Sequence, residues 1–313
     1  MVKLAFLFPG QGSQYVGMGQ DFYSSRSDAR ELFEEAGQVL GIDMANLCFH
    51  EEEETLKLTE NAQPAILTHS TIALKTLREH GIDSVISAGH SLGEYSALVA
   101  AGAICFADAV RLVRKRGQFM QEAVPIGEGA MAAIIGLPLP RIQELCSQYS
   151  TPENLAQPAN INSPEQIVIA GHKPAVEEIS DNAKRAGAKK SILLPVSAPF
   201  HCSLMKPAEI KLQKELEQTE FRDLSSPVVA NCDAKPLLKG EEAQEALRRQ
   251  VCSPVRWVET MRYLVEQGIQ AAVEIGPGKV LSGLMRRFEK NIRCFQVSDR
   301  ETLEQTLAGL KRL

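Results

Sequence analysis

The sequence predicts an α/β protein: a large unit on a parallel sheet, with a smaller unit of strands and helices set into it. Three observations predict this. Residues 84 to 104 read as strand, sharp turn and helix, with Ser91 at the apex of Gly89-His90-Ser91-Leu92-Gly93. Short continuous apolar runs at 3–8 and 271–275 each lead into a glycine-rich turn, the mark of strands buried on both faces. Between residues 130 and 194 the order is β-α-β-β-α-β, the split pattern of a ferredoxin-like unit.

The bulk properties are compatible. The chain has 313 residues, 44% hydrophobic, enough for one large core with a second smaller one. A net charge of −5 with interspersed signs leaves no nucleic-acid footprint and no basic membrane face, and no apolar run is long enough to cross a bilayer. The opening Met1 to Phe8 is shorter than a secretory leader, and no small-residue cleavage site follows; a first strand is expected. Seven cysteines without paired spacing suit reduced thiols and a cytoplasmic location. No His-Glu-x-x-His or Cys/His cluster occurs, so no metal is expected.

In chain order, strand 3–8 is followed by the loop Pro9 to Gln14, which lacks the Lys-Ser/Thr of a P-loop but offers unblocked backbone N–H groups at a strand's C-terminal end. Leu32 to Val39 reads as helix, Glu51 to Glu54 as a solvated acidic face, Thr59 to Pro64 as a turn, and Ile66 to Glu79 as a helix stopped at Gly81. Strand Val85 to Ala88 enters the turn at Ser91, where flanking glycines leave room and a helix N-terminus offers spare N–H groups. A helix over 104–122 carries Arg111, Arg114, Lys115 and Arg116.

The smaller unit comprises strand 130–135, helix 139–149, strands 156–159 and 166–170 about a turn at Asn160 to Pro164, helix 173–186 and strand 190–194. It is expected to occupy residues 128–195, inserted into a large domain of residues 1–127 and 196–313. The large unit resumes with helix 204–218, strand 228–231, helices 241–250 and 254–267, strand 271–275, helix 281–289, strand 294–297 and a terminal helix 301–310. The turn at Ser91 makes the large domain α/β-hydrolase-like.

A nucleophilic serine needs a base. Of six histidines, His50, His69 and His80 fall in helices or at their ends, and His172 lies in a turn of the small unit. His90 adjoins Ser91 along a turn, where neighbouring side chains diverge, so it is expected to brace the elbow. His201, on the irregular segment Pro195 to Ser203 where the chain re-enters the large domain, suits a general base at a domain-junction cleft. No third member is obvious: Asp233, Glu274 or a backbone carbonyl could orient the ring.

Five stretches together resemble the malonyl-CoA:acyl-carrier-protein transacylases: Phe8-Pro-Gly-Gln-Gly-Ser-Gln14, Gly89-His-Ser-Leu-Gly-Glu94, Arg116 after the elbow, Ser197-Ala-Pro-Phe-His201 and Glu274-Ile-Gly-Pro-Gly278. The likeness spans essentially the whole chain. It implies that Ser91 is acylated, that His201 is base and then acid, and that the carbonyl of Gln250 orients the ring. It also implies an oxyanion hole from the N–H groups of Gln11 and Leu92, and a carboxylate clamp at Arg116. On the residues alone, Arg116 is one of several bases on a helix. Asn160 and Asn162 are expected to line the cleft. Phe200 stands before the base, as in synthase domains that choose malonyl, and its bulk would crowd a branched acyl group.

The resemblance further implies malonyl-CoA as donor, holo acyl-carrier protein as transient acceptor and no permanent cofactor; a monomer is expected. Candidate carrier contacts are Lys189, Lys190, the 111–116 stripe, Arg286 and Arg287. The alternatives are a serine esterase or thioesterase, which has no use for a carboxylate clamp, an acyltransferase of polyketide synthesis, and a non-catalytic module, which would be free to lose Ser91, His201 or Arg116.

Overall fold

The computed structural model describes residues 2–196 and 198–313. Met1 of the opening stretch and Ser197 of the segment before His201 lie outside the described residues.

In chain order the strands are β1 (Leu4–Phe8), β2 (Ile86–Gly89), β3 (Gly129–Ile135), β4 (Ala156–Ser163), β5 (Gln166–His172), β6 (Lys190–Leu193), β7 (Val228–Val229), β8 (Pro236–Leu237), β9 (Ala271–Ile275) and β10 (Arg293–Val297). The large sheet has the order β10-β9-β1-β2-β7-β8 and is parallel except for the short edge strand β8. Central strands β1 and β9 are buried along their whole length, between helices on both faces, which is why they read as unbroken apolar runs. Register brings Phe8 opposite Gly89 and Leu7 opposite Glu274, so three strands end at one level. Ligands gather at that edge of an open α/β sheet.

The small sheet is antiparallel, β4-β5-β3-β6, the ferredoxin-like order. Its two faces do different jobs. Ala132, Ile134, Ile167 and Ile169 pack on the helices Leu139–Tyr149 and Lys173–Arg185, while the alternate residues Met131, Ala133, Val168 and Ala170 join the main core. A parallel bridge between Asn160 and Val255 ties the small sheet to the segment before helix Trp257–Glu266 of the large unit, with Val255 N–H on the Ala159 carbonyl at 2.8 Å and Ile161 N–H on the Val255 carbonyl at 2.9 Å.

Several expectations are corrected. Thr59 to Pro64 is not a turn but the start of helix Thr59–Glu79. Proline removes the bond that would reach the Glu60 carbonyl; Arg114 Nη1 donates to that carbonyl instead, at 3.0 Å. Asn160 to Ser163 is not a turn either, because β4 continues to Ser163. Its register slips at Pro158/Asn160 and at Ile161/Ser163, so the run is a bulged strand, with Asn160 and Asn162 at the cleft and Ile161 in the small unit's core. The helix expected from residue 254 starts at Trp257, because Pro254 to Arg256 carry the bridge. Helices Gln20–Ser25, Met44–Phe49 and Glu53–Lys57, and strand β8, are too short for periodicity to reveal.

Candidate active site

The elbow is built by close approach. A Cβ on Gly89 would lie 1.9 Å from the backbone of Gly93, and one on Gly93 would lie 2.0 Å from the Phe8 carbonyl oxygen. Two side-chain-free positions therefore let β1, β2 and helix Gly93–Ala100 converge. Between them Ser91 takes φ 52°, a left-handed conformation that costs a non-glycine residue about 1–3 kcal/mol. Asn231, just beyond β7, holds it: its Oδ1 accepts the Ser91 N–H at 2.6 Å and its Nδ2 donates to the Gly89 carbonyl at 2.6 Å.

Ser91 Oγ stands 2.7 Å from His201 Nε2, and His201 Nδ1 stands 3.0 Å from the Gln250 carbonyl. A carbonyl only accepts, so Nδ1 carries the proton and Nε2 is free to take one from the serine. Burial, followed by the charge of Arg116, pushes the His201 pKa down to about 3. The ring is thus a neutral base over the whole ordinary pH range. Neither carboxylate considered above orients it. Asp233 pairs with Arg249 at 2.6 Å, and Glu274 caps helix Val280–Phe288 through the N–H groups of Leu281 and Ser282 at 3.1 and 2.7 Å.

Arg116 is buried, not part of a surface stripe. Its Nη1 donates to Gln63 Oε1 at 2.7 Å; its Nη2 lies 3.0 Å from Ser91 Oγ and 2.9 Å from Gln250 Oε1. The guanidinium packs 5.6 Å from the Tyr95 ring centre. Among the described residues its hydrogen-bond partners are neutral and no carboxylate forms an ion pair with it, and its Nε has no hydrogen-bond partner. A buried, unpaired guanidinium is a seat for an anion. A chain of side chains links it to the loop after β1: Gln63 Nε2 donates to Thr59 Oγ1 at 3.0 Å, and Thr59 Oγ1 donates to Gln11 Oε1 at 2.8 Å. The N–H groups of Gln11 and Leu92 have no hydrogen-bond partner among the described residues, and so are free to receive an oxyanion.

Gln11, Gln63, Ser91, Arg116 and His201 line a cavity of about 400 Å³ whose apolar wall includes Met120, Met131, Leu194 and Phe200. Asn160 lines this cavity. Asn162 lines an adjoining one of about 260 Å³, which also contains Asn160 and His90. His90, beside Ser91, has its Nε2 2.8 Å from Asn162 Oδ1 and its ring 5.5 Å from Trp257. A larger groove of about 600 Å³ near Tyr23 and Met44 contains none of these groups. Of the bases considered for a partner, Arg111 pairs with Asp108, the half-buried Arg114 with Glu60 and Lys189 with Glu165.

An acyl transferase domain matches residues 5–310. The chain belongs to the acyl transferase domain family. Its relatives in that family include the malonyl CoA-acyl carrier protein transacylase of Bacillus subtilis, 48% identical over 99% of this chain and 98% of the relative. Two solved structures superpose closely. One is a malonyl-transacylase in complex with its type II PKS acyl-carrier protein (TM-score 0.95, 45% identity, 98% of this chain and 99% of that one). The other is the malonyl CoA-acyl carrier protein transacylase of Coxiella burnetii (TM-score 0.96, 41% identity, 100% and 98%).

The acyltransferase site also contains residues that the sequence did not flag. Asn231 was expected to be the last residue of strand 228–231, but β7 ends at Val229, so Asn231 lies just beyond it at the C-terminal edge of the sheet. Thr59 and Gln63 were hidden in the stretch read as a turn.

Proposed function

We propose that the protein transfers the malonyl group from malonyl-CoA to the phosphopantetheine thiol of acyl-carrier protein, through a malonyl ester on Ser91. The observation that carries this reading is the buried, unpaired guanidinium of Arg116, 3.0 Å from the serine oxygen. An uncharged acyl group has no use for it; an acyl group ending in a carboxylate does.

The free carboxylate of the malonyl group takes the Arg116 fork, which places the thioester carbonyl over Ser91. His201 Nε2 removes the Ser91 proton as Oγ attacks. The tetrahedral oxyanion sits on the N–H groups of Gln11 and Leu92, and the imidazolium is stabilised through Nδ1–H on the Gln250 carbonyl. Collapse breaks the C–S bond, and His201 returns the proton to the departing thiolate, giving coenzyme A. The carrier thiol then enters, gives its proton to His201 and attacks the ester; the same oxyanion forms, and the proton returns to Ser91 as malonyl-carrier leaves. Each half-reaction exchanges one acyl group between sulfur and oxygen, so neither an oxidant nor a nucleotide is consumed.

The chain divides in this reading into a catalytic domain of residues 1–127 and 196–313 and an inserted unit of residues 128–195. No helix among the described residues is long and apolar enough to cross a membrane, and we place the protein in the cytoplasm. Because one relative was solved with a type II PKS carrier, fatty-acid and polyketide carriers both belong in the test.

Intact mass after brief mixing with malonyl-CoA, followed by each holo-carrier, tests the reading. A malonyl adduct that is absent from Ser91→Ala and moves to a carrier thiol is expected. An adduct that decays to water equally fast with or without carrier would instead make the protein a hydrolase.

A further inference from the structure

Glu94 closes the elbow motif, yet the mechanism above gives it nothing to do. It stands in the first turn of helix Gly93–Ala100 and is completely buried. A buried carboxylate needs donors. Here both donors fall on one oxygen: Oε2 accepts the Asn231 N–H at 3.0 Å and Gln250 Nε2 at 2.7 Å, while Oε1 has no partner among the described residues.

Both donors belong to residues that hold reacting groups. Asn231 clamps the elbow on either side of His90, through Gly89 and Ser91. Gln250 works through three atoms: its carbonyl meets His201 Nδ1, its Oε1 meets Arg116 Nη2, and its Nε2 also reaches the Ser91 carbonyl at 3.0 Å. An amide side chain has a donor end and an acceptor end of nearly the same shape. Rotated by half a turn, Gln250 would turn its NH₂ toward the guanidinium and its oxygen toward the Ser91 carbonyl, both mismatches. Glu94 Oε2, accepting from Nε2, adds a third contact that favours the observed orientation, beside Arg116 and the Ser91 carbonyl.

We propose that Glu94 is a positioning residue for malonyl transfer: a single carboxylate oxygen locks the Gln250 amide with its oxygen on Arg116 and ties Asn231 to the serine elbow. The proposal rests on Arg116 as the seat of the acyl carboxylate. It separates from a purely structural role by substrate. Without Glu94 the Gln250 amide is held in its direction only by Arg116 and the Ser91 carbonyl, and the acceptor that aims Arg116 is held more loosely. Malonyl transfer, which uses Arg116, then suffers more than acetyl transfer, which does not.

The experiment compares kcat/KM for Ser91 acylation by malonyl-CoA and by acetyl-CoA in the full chain, with a thermal melt for each variant. Glu94→Gln keeps an acceptor at the position of Oε2 and should hold the malonyl-to-acetyl ratio within about threefold of wild type. Glu94→Ala should lower that ratio about tenfold or more. If the alanine variant does not fold, Glu94→Asp, which withdraws the acceptor by one methylene, should lower the ratio in the same direction. Equal losses for both substrates, or a glutamine variant as poor as alanine, would overturn the proposal. A wild-type protein that favours malonyl strongly, beside a Glu94→Ala variant that favours it as strongly, removes this proposal alone; a wild type with no preference removes the Arg116 reading and the proposal with it.

Discussion

Ser91 and His201 both sit at positive φ, 52° and 61°. The molecule therefore stores strain at the two side chains that face each other, and neighbouring groups must keep it in place. For Ser91 the keeper is Asn231. Replacing Asn231 with Ala would strip the hydrogen bonds from the Ser91 N–H and the Gly89 carbonyl. A stability loss of about 1–3 kcal/mol is expected in denaturant titration, with a fall in kcat larger than the change in KM. Arg116→Ala should depress malonyl loading at least about a hundredfold while leaving acetyl loading within about tenfold, read from adduct formation; similar losses for both substrates would refute the clamp. Because His201 titrates at about 3, kcat/KM for acylation should show no inflection near 6.5 and should fail only in stronger acid, with melts at each pH to exclude unfolding. The same shift bears on stability. The unfolded chain takes up a proton at His201 near 6.5 and the folded chain does not, so this contribution is lost as pH falls from 6.5 toward 3. Glu94, raised to about 7 by burial against the opposing hydrogen bonds from Gln250 and Asn231, acts with the opposite sign between 4.5 and 7. The stability of Glu94→Gln should therefore fall more steeply than that of wild type as pH drops from 6.5 to 4.5, measured by urea unfolding at each pH.

Among elements, the elbow is the most demanding and was the most legible. Its glycines, apex and following helix are contiguous in sequence, so local chemistry reveals it. Gly93→Ala would press a methyl against the Phe8 carbonyl oxygen, a backbone atom with no room to yield. A loss of about 3 kcal/mol or more is expected, together with poor Ser91 labelling, because β1 and helix Gly93–Ala100 must separate. Strands β1 and β9 were legible for a related reason: burial on both faces leaves an uninterrupted apolar run. Legibility failed where a distant partner rescues a local oddity. Pro64 looks like a helix stop until Arg114 takes the freed carbonyl of Glu60, and the polar run from Asn160 to Ser163 looks like a turn until its bulges are seen against β5. The pairing of His201 with Ser91 spans 110 residues. The residues alone suggested a base at the domain junction, but they left its orienter open between two carboxylates and a carbonyl.

At the scale of the whole molecule, the cavity lies where the small sheet leans on the C-terminal edge of the large one. The Asn160–Val255 bridge and the bond between His90 and Asn162 fix that lean. Asn162→Ala should loosen the second link without touching Ser91 or His201. A KM for malonyl-CoA raised about threefold, with kcat nearly kept, is expected in steady-state assays; an unchanged KM would show that the bridge alone holds the cleft.

The group that steadies the His201 ring is the peptide oxygen of Gln250. No codon specifies that atom. Every amino acid placed at position 250 supplies a carbonyl there, so a library of point mutants cannot delete it and scores only the side chain. In serine enzymes that use an aspartate at this place, one base change can disarm the relay. Here the relay is encoded in the path of the chain, and the mutations able to reach it are those that move the backbone around residue 250.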